Sequence, residues 1–126
     1  MFAKRVQELL VYQKALKAAD AVSAILTRED FSKDRRLRDQ LGASSERVAS
    51  LISEGFPQST DRHFAEYLYR ARGSSNEVRT QMRVAHGRNW VNVQELSEVT
   101  GRYEEIAKML TGLIKHLRRE NRRHRG

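Results

Sequence analysis

From Leu96 to Leu117 the apolar residues Leu96, Val99, Tyr103, Ile106, Leu110, Leu113 and Leu117 follow one another at alternating gaps of three and four. The mean gap of about 3.5 residues is the period of a helix whose apolar edge faces its partners along its whole length. Such an edge needs other helices to lie against, and the rest of the chain supplies three. The spacing predicts a first helix over about residues 3–27, with Val6, Leu9, Leu10, Leu16, Val22, Ile25 and Leu26 on one side and Ala15, Ala18 and Ala19 as small fillers. A second is predicted over about 33–54 on Leu37, Leu41, Val48 and Ile52, with Ser32 as its N-cap and Asp34 in its first turn. Gly55 suits a left-handed position after that helix, and Pro57 stops any continuation.

A third helix is predicted over about 61–85 on Phe64, Leu68, Ala71, Ser75, Val78, Met82 and Ala85, capped by Ser59 or Thr60 and stopped at Gly87. The fourth begins near Asn92, where Asn92 and Glu95 have the spacing of a capping box, and reaches Arg119. Gly73, among Ala71, Ser74 and Ser75, and Gly112, among Leu110, Leu113 and Ile114, are read as points of close helix contact. The final RRENRRHRG has no apolar edge and is expected to fray. Short connections make successive helices antiparallel neighbours. The expected architecture is all-α, an up-down-up-down four-helix bundle over residues 1–117 with a basic tail over 118–126.

Composition sharpens this picture. A chain of 126 residues suits one domain, and 32% charged against 39% hydrophobic residues suits helices that each bury one stripe. Cysteine is absent, which removes disulfides, thiolate metal sites and a cysteine nucleophile. No apolar run approaches the roughly 18 residues of a membrane span, and the first ten residues lack a signal peptide's apolar stretch. A cytoplasmic protein without a membrane role is expected. The formal net charge is +8, and Arg118, Arg119, Arg122, Arg123 and Arg125 concentrate positive charge at the end of the chain. Such a surplus favours polyanions through counterion release.

Several stretches resemble one family. LVYQKALKAAD (Leu10 to Asp20) looks like the opening helix of the four helix bundle protein family, which includes proteins encoded by intervening sequences inside bacterial 23S ribosomal RNA genes. Phe31, Gln40-Leu41, Ser53-Glu54-Gly55-Phe56, Phe64, YLYRARGSSNEVRTQM (Tyr67 to Met82) and MLTGLIKHL (Met109 to Leu117) extend the likeness in the same order. The sequence departs from it in ERVASLISEGF, where Ala49 and Leu51 stand in place of the family's proline and asparagine. The resemblance implies a four-helix bundle and a ring-like homo-oligomer, a pentamer. It also implies a distant likeness to the accessory proteins of diversity-generating retroelement reverse transcriptases, in which a basic ring contacts polymerase and nucleic acid.

Candidate chemistry is sparse. Glu-x-x-His pairs that build di-iron sites in bundles are missing, because Thr60, Arg83, Leu113 and Asn121 precede the four histidines by three residues. Phosphate-cradling glycine loops and His-Glu-x-x-His are missing too. Neither an enzymatic activity nor a cofactor or metal is expected. One constellation points to binding. Tyr69, Arg72, Asn76, Arg79 and Arg83 recur at threes and fours on one face of the third helix, a set suited to phosphate and base contacts. The competing reading leaves that face solvated, or pairs it across an interface with acids such as Glu46, Glu77 or Glu105. Lys33, Arg35, Arg36 and Arg38 form a second basic cluster beside Asp34 and Asp39. The aromatics Phe2, Tyr12, Phe31, Phe56, Tyr67 and Trp90 fall beside the four stripes; some are expected to line the ends of the bundle, and the excess to pair between subunits.

The sequence thus predicts a non-enzymatic basic bundle that forms a homo-oligomer and binds nucleic acid, RNA rather than DNA, through Arg72, Arg79 and Arg83 of the third helix and Arg118, Arg119, Arg122, Arg123 and Arg125 of the tail. The alternative is an oligomeric adaptor whose partner is another protein, such as a polymerase.

Overall fold

The computed structural model describes residues 5–56 and 60–125, with the side chains of Gln7, Asp30, His124 and Arg125 outside that description. It contains four helices, α1 (Leu10–Leu26), α2 (Arg35–Gly55), α3 (Asp61–Gly87) and α4 (Val93–Arg125), with 3₁₀ turns at Val6–Glu8 and Glu29–Lys33. Each helix packs on the next, and α1 returns to α4, so the four close a ring around one core. Residue pairs across each boundary run in opposite directions. Asp34 meets Arg88 while Gly55 meets Tyr67, and Arg72 meets Thr111 while Tyr69 meets Arg118. The expected antiparallel four-helix bundle is the observed fold.

The core is built from the predicted stripes of α2 and α3 and most of that of α4; on α1 the buried line is Val11, Ala15, Ala18, Val22 and Ile25, while Leu10 and Leu16, predicted on it, are exposed. Val22, Leu41, Ile52, Phe64, Leu68, Val78, Met82 and Leu110 are buried. Along α4, Val99, Tyr103, Ile106, Leu110 and Leu117 are inside, while Ile114 replaces Leu113, which is half-buried. The shift follows from 3.6 rather than 3.5 residues per turn: over several turns the inward edge drifts around the helix. Tyr103 is the largest fully buried side chain, its hydroxyl beside Ser45 without a well-formed hydrogen bond, and burial pushes its phenol up.

The helix ends depart from expectation at several points. α1 starts at Leu10, because the positions one turn before Val11 on its stripe are Gln7 and Glu8. An extended Leu9 instead turns its own side chain into the core. Asp34, not Ser32, caps α2, accepting from the Leu37 amide at 3.4 Å, while the Ser32 hydroxyl donates to the Glu29 carbonyl within the 3₁₀ turn at 2.6 Å. Thr60 caps α3, accepting from the His63 amide at 3.2 Å; Ser59 lies outside the described residues. The reciprocal box at α4 is formed, with the Glu95 amide donating to Asn92 Oδ1 at 2.8 Å and the Asn92 amide to Glu95 Oε1 at 2.9 Å.

No described glycine has a positive φ. Gly55 is the last residue of α2, and its small size serves close packing: a β-carbon there would lie 2.8 Å from Tyr67 Cγ and 3.1 Å from Phe64 Cδ1. The left-handed residue is Asn89 (φ 66°), after α3. There the Trp90 amide donates to the Ala85 carbonyl at 2.9 Å and the Asn89 amide to the His86 carbonyl at 3.0 Å, the two bonds of a Schellman ending. Gly73 and Gly112 do not mark helix crossings; both are exposed, and β-carbons on them would meet nothing within 4 Å.

The aromatics placed beside the stripes pack on the core to different degrees. Phe31 is fully buried, and Tyr12, Phe56, Tyr67 and Trp90 pack half-buried on the core, with Phe56 edge-on to Phe64. Phe2 lies outside the described residues. A 3₁₀ turn carries Phe31 inward, and the helix ends carry Phe56 and Trp90 over the poles of the core, where a stripe count does not reach.

At one pole the ends of all four helices share a polar network. Arg28 donates to Glu95 and to the Trp90 carbonyl. Asp34 accepts from Trp90 Nε1 at 2.9 Å and Arg88 Nη1 at 2.8 Å, and these bonds hold its carboxyl below the usual 3.8. At the opposite pole α4 continues through Arg125, at about 1.5 Å per residue some 50 Å in length. Residues 118–125, expected to fray, continue the helix alongside the first turns of α3. Once a helix is formed each further residue extends it at little cost, even where the sequence has no apolar edge. Among the described residues, no helix is long and apolar enough to cross a membrane.

Candidate nucleic-acid interface

The extension of α4 changes how the candidate arginines group. Thr111 faces α3, where its hydroxyl accepts from Arg72 Nη1 at 3.0 Å. Arg118 and Arg122 follow Thr111 by two and three helical turns on the same flank. Arg118 accordingly reaches α3, with its guanidinium 4.8 Å from the centre of the Tyr69 ring. The Arg72 guanidinium lies 4.5 Å from the same ring. The helical periods of α3 and α4 thus bring two cations from different helices onto one tyrosine. Arg118 first, and Arg72 after it, hold the Tyr69 phenol below its ordinary value of 10.0.

Tyr69 is 39% exposed and lines a groove of about 490 Å³ between the start of α3 and the end of α4. Arg118 and Arg122 from α4 and Arg62 from α3 supply its positive charge, with Asp61 and Glu66 on the α3 rim. Arg62 is engaged with Glu66 at 3.7 Å. Among the described residues, no carboxylate lies within 4.0 Å of Arg72, Arg118 or Arg122. The acids named as competitors are placed elsewhere. Glu77 pairs with Arg47 at 3.6 Å and accepts from Ser44, and Glu105 pairs with Lys14 at 2.8 Å. Glu46 lines a groove between α1 and α2.

The remaining candidates lie apart from the groove. Arg79 and Arg83 are two and three turns further along α3 than Arg72, about 10 and 16 Å away at 1.5 Å per residue. Arg79 donates to Asn76 Oδ1 at 3.3 Å, which occupies the amide expected to meet a base, and Arg79 Nε is buried without a partner. Arg83 is exposed. Arg119 and Arg123 face outward on α4, Arg123 meeting Glu120 at 3.4 Å. Arg125 ends α4, its side chain outside the described residues. In the second basic cluster, Arg38 lies 3.6 Å from Asp39, and Asp34 is taken up by Arg88 and Trp90. Sequence reasoning missed Arg62 and Asn121, which line the groove with Tyr69, and Thr111, which accepts from Arg72. Counting turns from Thr111 through Arg118 would have found the flank, had residues 118–125 been treated as helix.

Among the described residues, no group of three or more histidines and carboxylates is placed to hold a metal ion. What the surface offers chemically is an exposed ring with guanidinium groups around it.

A second surface feature lies across the bundle. Leu10 and Leu16 are exposed on α1, at 57% and 44%, and Leu16 lines a groove of about 480 Å³ with Tyr12, Ala19, Ala49 and Glu54.

No match was found among curated proteins. A solved structure from Bacteroides thetaiotaomicron, described as a protein with unknown function from the S23 ribosomal protein family, superposes with a TM-score of 0.77. It is 17% identical, and the alignment covers 84% of this chain and 99% of that one, a likeness of fold. The sequence matches the family described as 23S rRNA-intervening sequence protein over residues 7–112, nearly the whole bundle. By that match the chain belongs to the 23S rRNA-intervening sequence protein family.

Proposed function

We propose that this protein is a non-enzymatic RNA-binding bundle that works as a homo-oligomer. The observation that carries the RNA reading is the cluster of Arg72, Arg118 and Arg122 around Tyr69, with no described carboxylate paired to any of the three. Unpaired guanidiniums retain their forked donors for phosphate, and the net charge of +8 adds a long-range attraction. The association of the family name with ribosomal RNA supports RNA over DNA as the ligand. Arg79, Arg83, Arg119, Arg123 and Arg125 extend the positive field and hold no particular group.

Self-assembly is supported by Leu16, whose exposed side chain lines the α1/α2 groove beside Tyr12. That groove lies across the bundle from the arginines, so subunits joined there leave the α3/α4 flank open. The family resemblance implies a ring of five. Sedimentation equilibrium at micromolar concentration tests the assembly; one species of 14.6 kDa refutes it.

The RNA reading is tested by titrating labelled RNA and duplex DNA at rising salt. Binding that weakens along a straight line in log salt is expected, with about 0.7 lost from the slope for each arginine removed from a single-strand contact. Absence of binding to either polymer near physiological salt refutes it and favours the protein-adaptor alternative.

A further inference from the structure

Resting on the RNA reading, we infer that the Tyr69 groove is a stacking site for one unpaired base, so that the protein selects single-stranded over double-helical RNA. Three observations bear on the ligand. The first is the ring. Tyr69 is exposed between two helices that fix its position, and two guanidiniums already lie 4.5 and 4.8 Å from its centre. An unstacked base can take the π-face that a guanidinium now covers, as that arginine turns to the base's phosphate.

The second is size. A groove of about 490 Å³ falls within the range of roughly 300–1,000 Å³ typical of small-ligand sites, room for a nucleotide and not for a helix lying inside it. The third is the sign of the rim. Arg118 and Arg122 line the α4 side, while Asp61 and Glu66 stand on the α3 side, Glu66 with Arg62 at 3.7 Å. A duplex crossing the groove would set its second strand's phosphates against those carboxylates. A single strand can follow the arginines alone, and the acids then face the base edges, where exocyclic amines donate.

The test uses the full chain and a labelled single-stranded RNA, with the same strand annealed to its complement as competitor. Tyr69→Ala is expected to weaken single-strand binding by about 5- to 150-fold, the range found for loss of one base–aromatic stack. The slope against log salt should stay the same, since no charge is removed. Tyr69→Phe keeps the ring and is expected to bind within about threefold of the parent. Arg118→Ala should lower the slope by about 0.7, a change that loss of a stacked ring does not produce. The duplex should compete at least tenfold less well than the single strand.

Salt-dependent RNA binding that is indifferent to Tyr69→Ala, or equal for single strand and duplex, overturns the stacking site and leaves the RNA reading intact. If neither form of RNA binds at about 50 mM salt, the RNA reading falls and the stacking site with it. Tyr69 is at the surface, and the circular dichroism of each variant shows whether the helices are retained.

Discussion

Glycine substitutions separate two roles that the sequence cannot tell apart. At Gly55, alanine would place its β-carbon against the β-carbon of Tyr67, 2.8 Å from Tyr67 Cγ and 3.1 Å from Phe64 Cδ1. The first of these atoms is fixed to the α3 backbone, so relief requires α2 and α3 to move apart. Overpacking of this kind costs about 1–3 kcal/mol. The gain in helix propensity from glycine to alanine, about 1 kcal/mol in a helix interior, is smaller at a terminal residue and does not offset it. With a urea dependence of about 2 kcal/mol per molar, the unfolding midpoint of Gly55→Ala should fall by about 0.5–1.5 M. At Gly73 and Gly112 the new methyl meets open space, and the propensity gain stands alone. Gly73→Ala and Gly112→Ala should each add about 0.5–1 kcal/mol and raise the midpoint by a few tenths molar. Urea titrations followed by circular dichroism at 222 nm measure all three. An unchanged or raised midpoint for Gly55→Ala would refute the packing argument. A lowered midpoint at Gly73 or Gly112 would refute the reading of those positions as open, and would mean that something outside the chain packs there.

Two further outcomes follow from the helix ends. Asn92→Ala removes half of the reciprocal box at the start of α4 and should lower stability by about 1 kcal/mol, a fall of several degrees in the thermal midpoint. The Asp34 carboxyl is held below its unfolded value of 3.8 by Trp90 and Arg88, so its contribution is fully present above pH 3.8 and is lost as pH falls through the lower folded value. Asp34→Asn, which still caps a helix, should show a weaker loss of urea midpoint than the parent between pH 5 and 2; identical acid limbs would refute that linkage.

Most of the architecture is readable from periodicity, because each helix buries one continuous stripe and the stripes of α2 and α3 lie where the sequence puts them. What misleads is local. Gly55 looks like a helix terminator because glycine often is one, yet here its absent side chain admits Tyr67; nothing in one sequence reports which neighbour will approach. Asn89, the residue that takes the left-handed turn, is overlooked beside Gly87. The candidate site was half visible. Tyr69 and Arg72 share a face of α3 by spacing alone, but Arg118 is assigned by sequence to the basic tail, and it joins them only because that tail continues α4 alongside α3. The last turns of α4 have no apolar signal, and their placement depends on the helix before them and on α3 alongside. The aromatics beside the stripes are expected in part at the ends of the bundle, and Phe31, Phe56 and Trp90 pack there, but a stripe count does not say which of them goes where.

The bonds of Arg28, Asp34, Trp90 and Glu95 knit the ends of all four helices together at one tip, and the Tyr69 groove opens at the other. A ligand held between α3 and α4 there would touch none of those bonds, so weakening the knot should change stability without changing what the groove can hold.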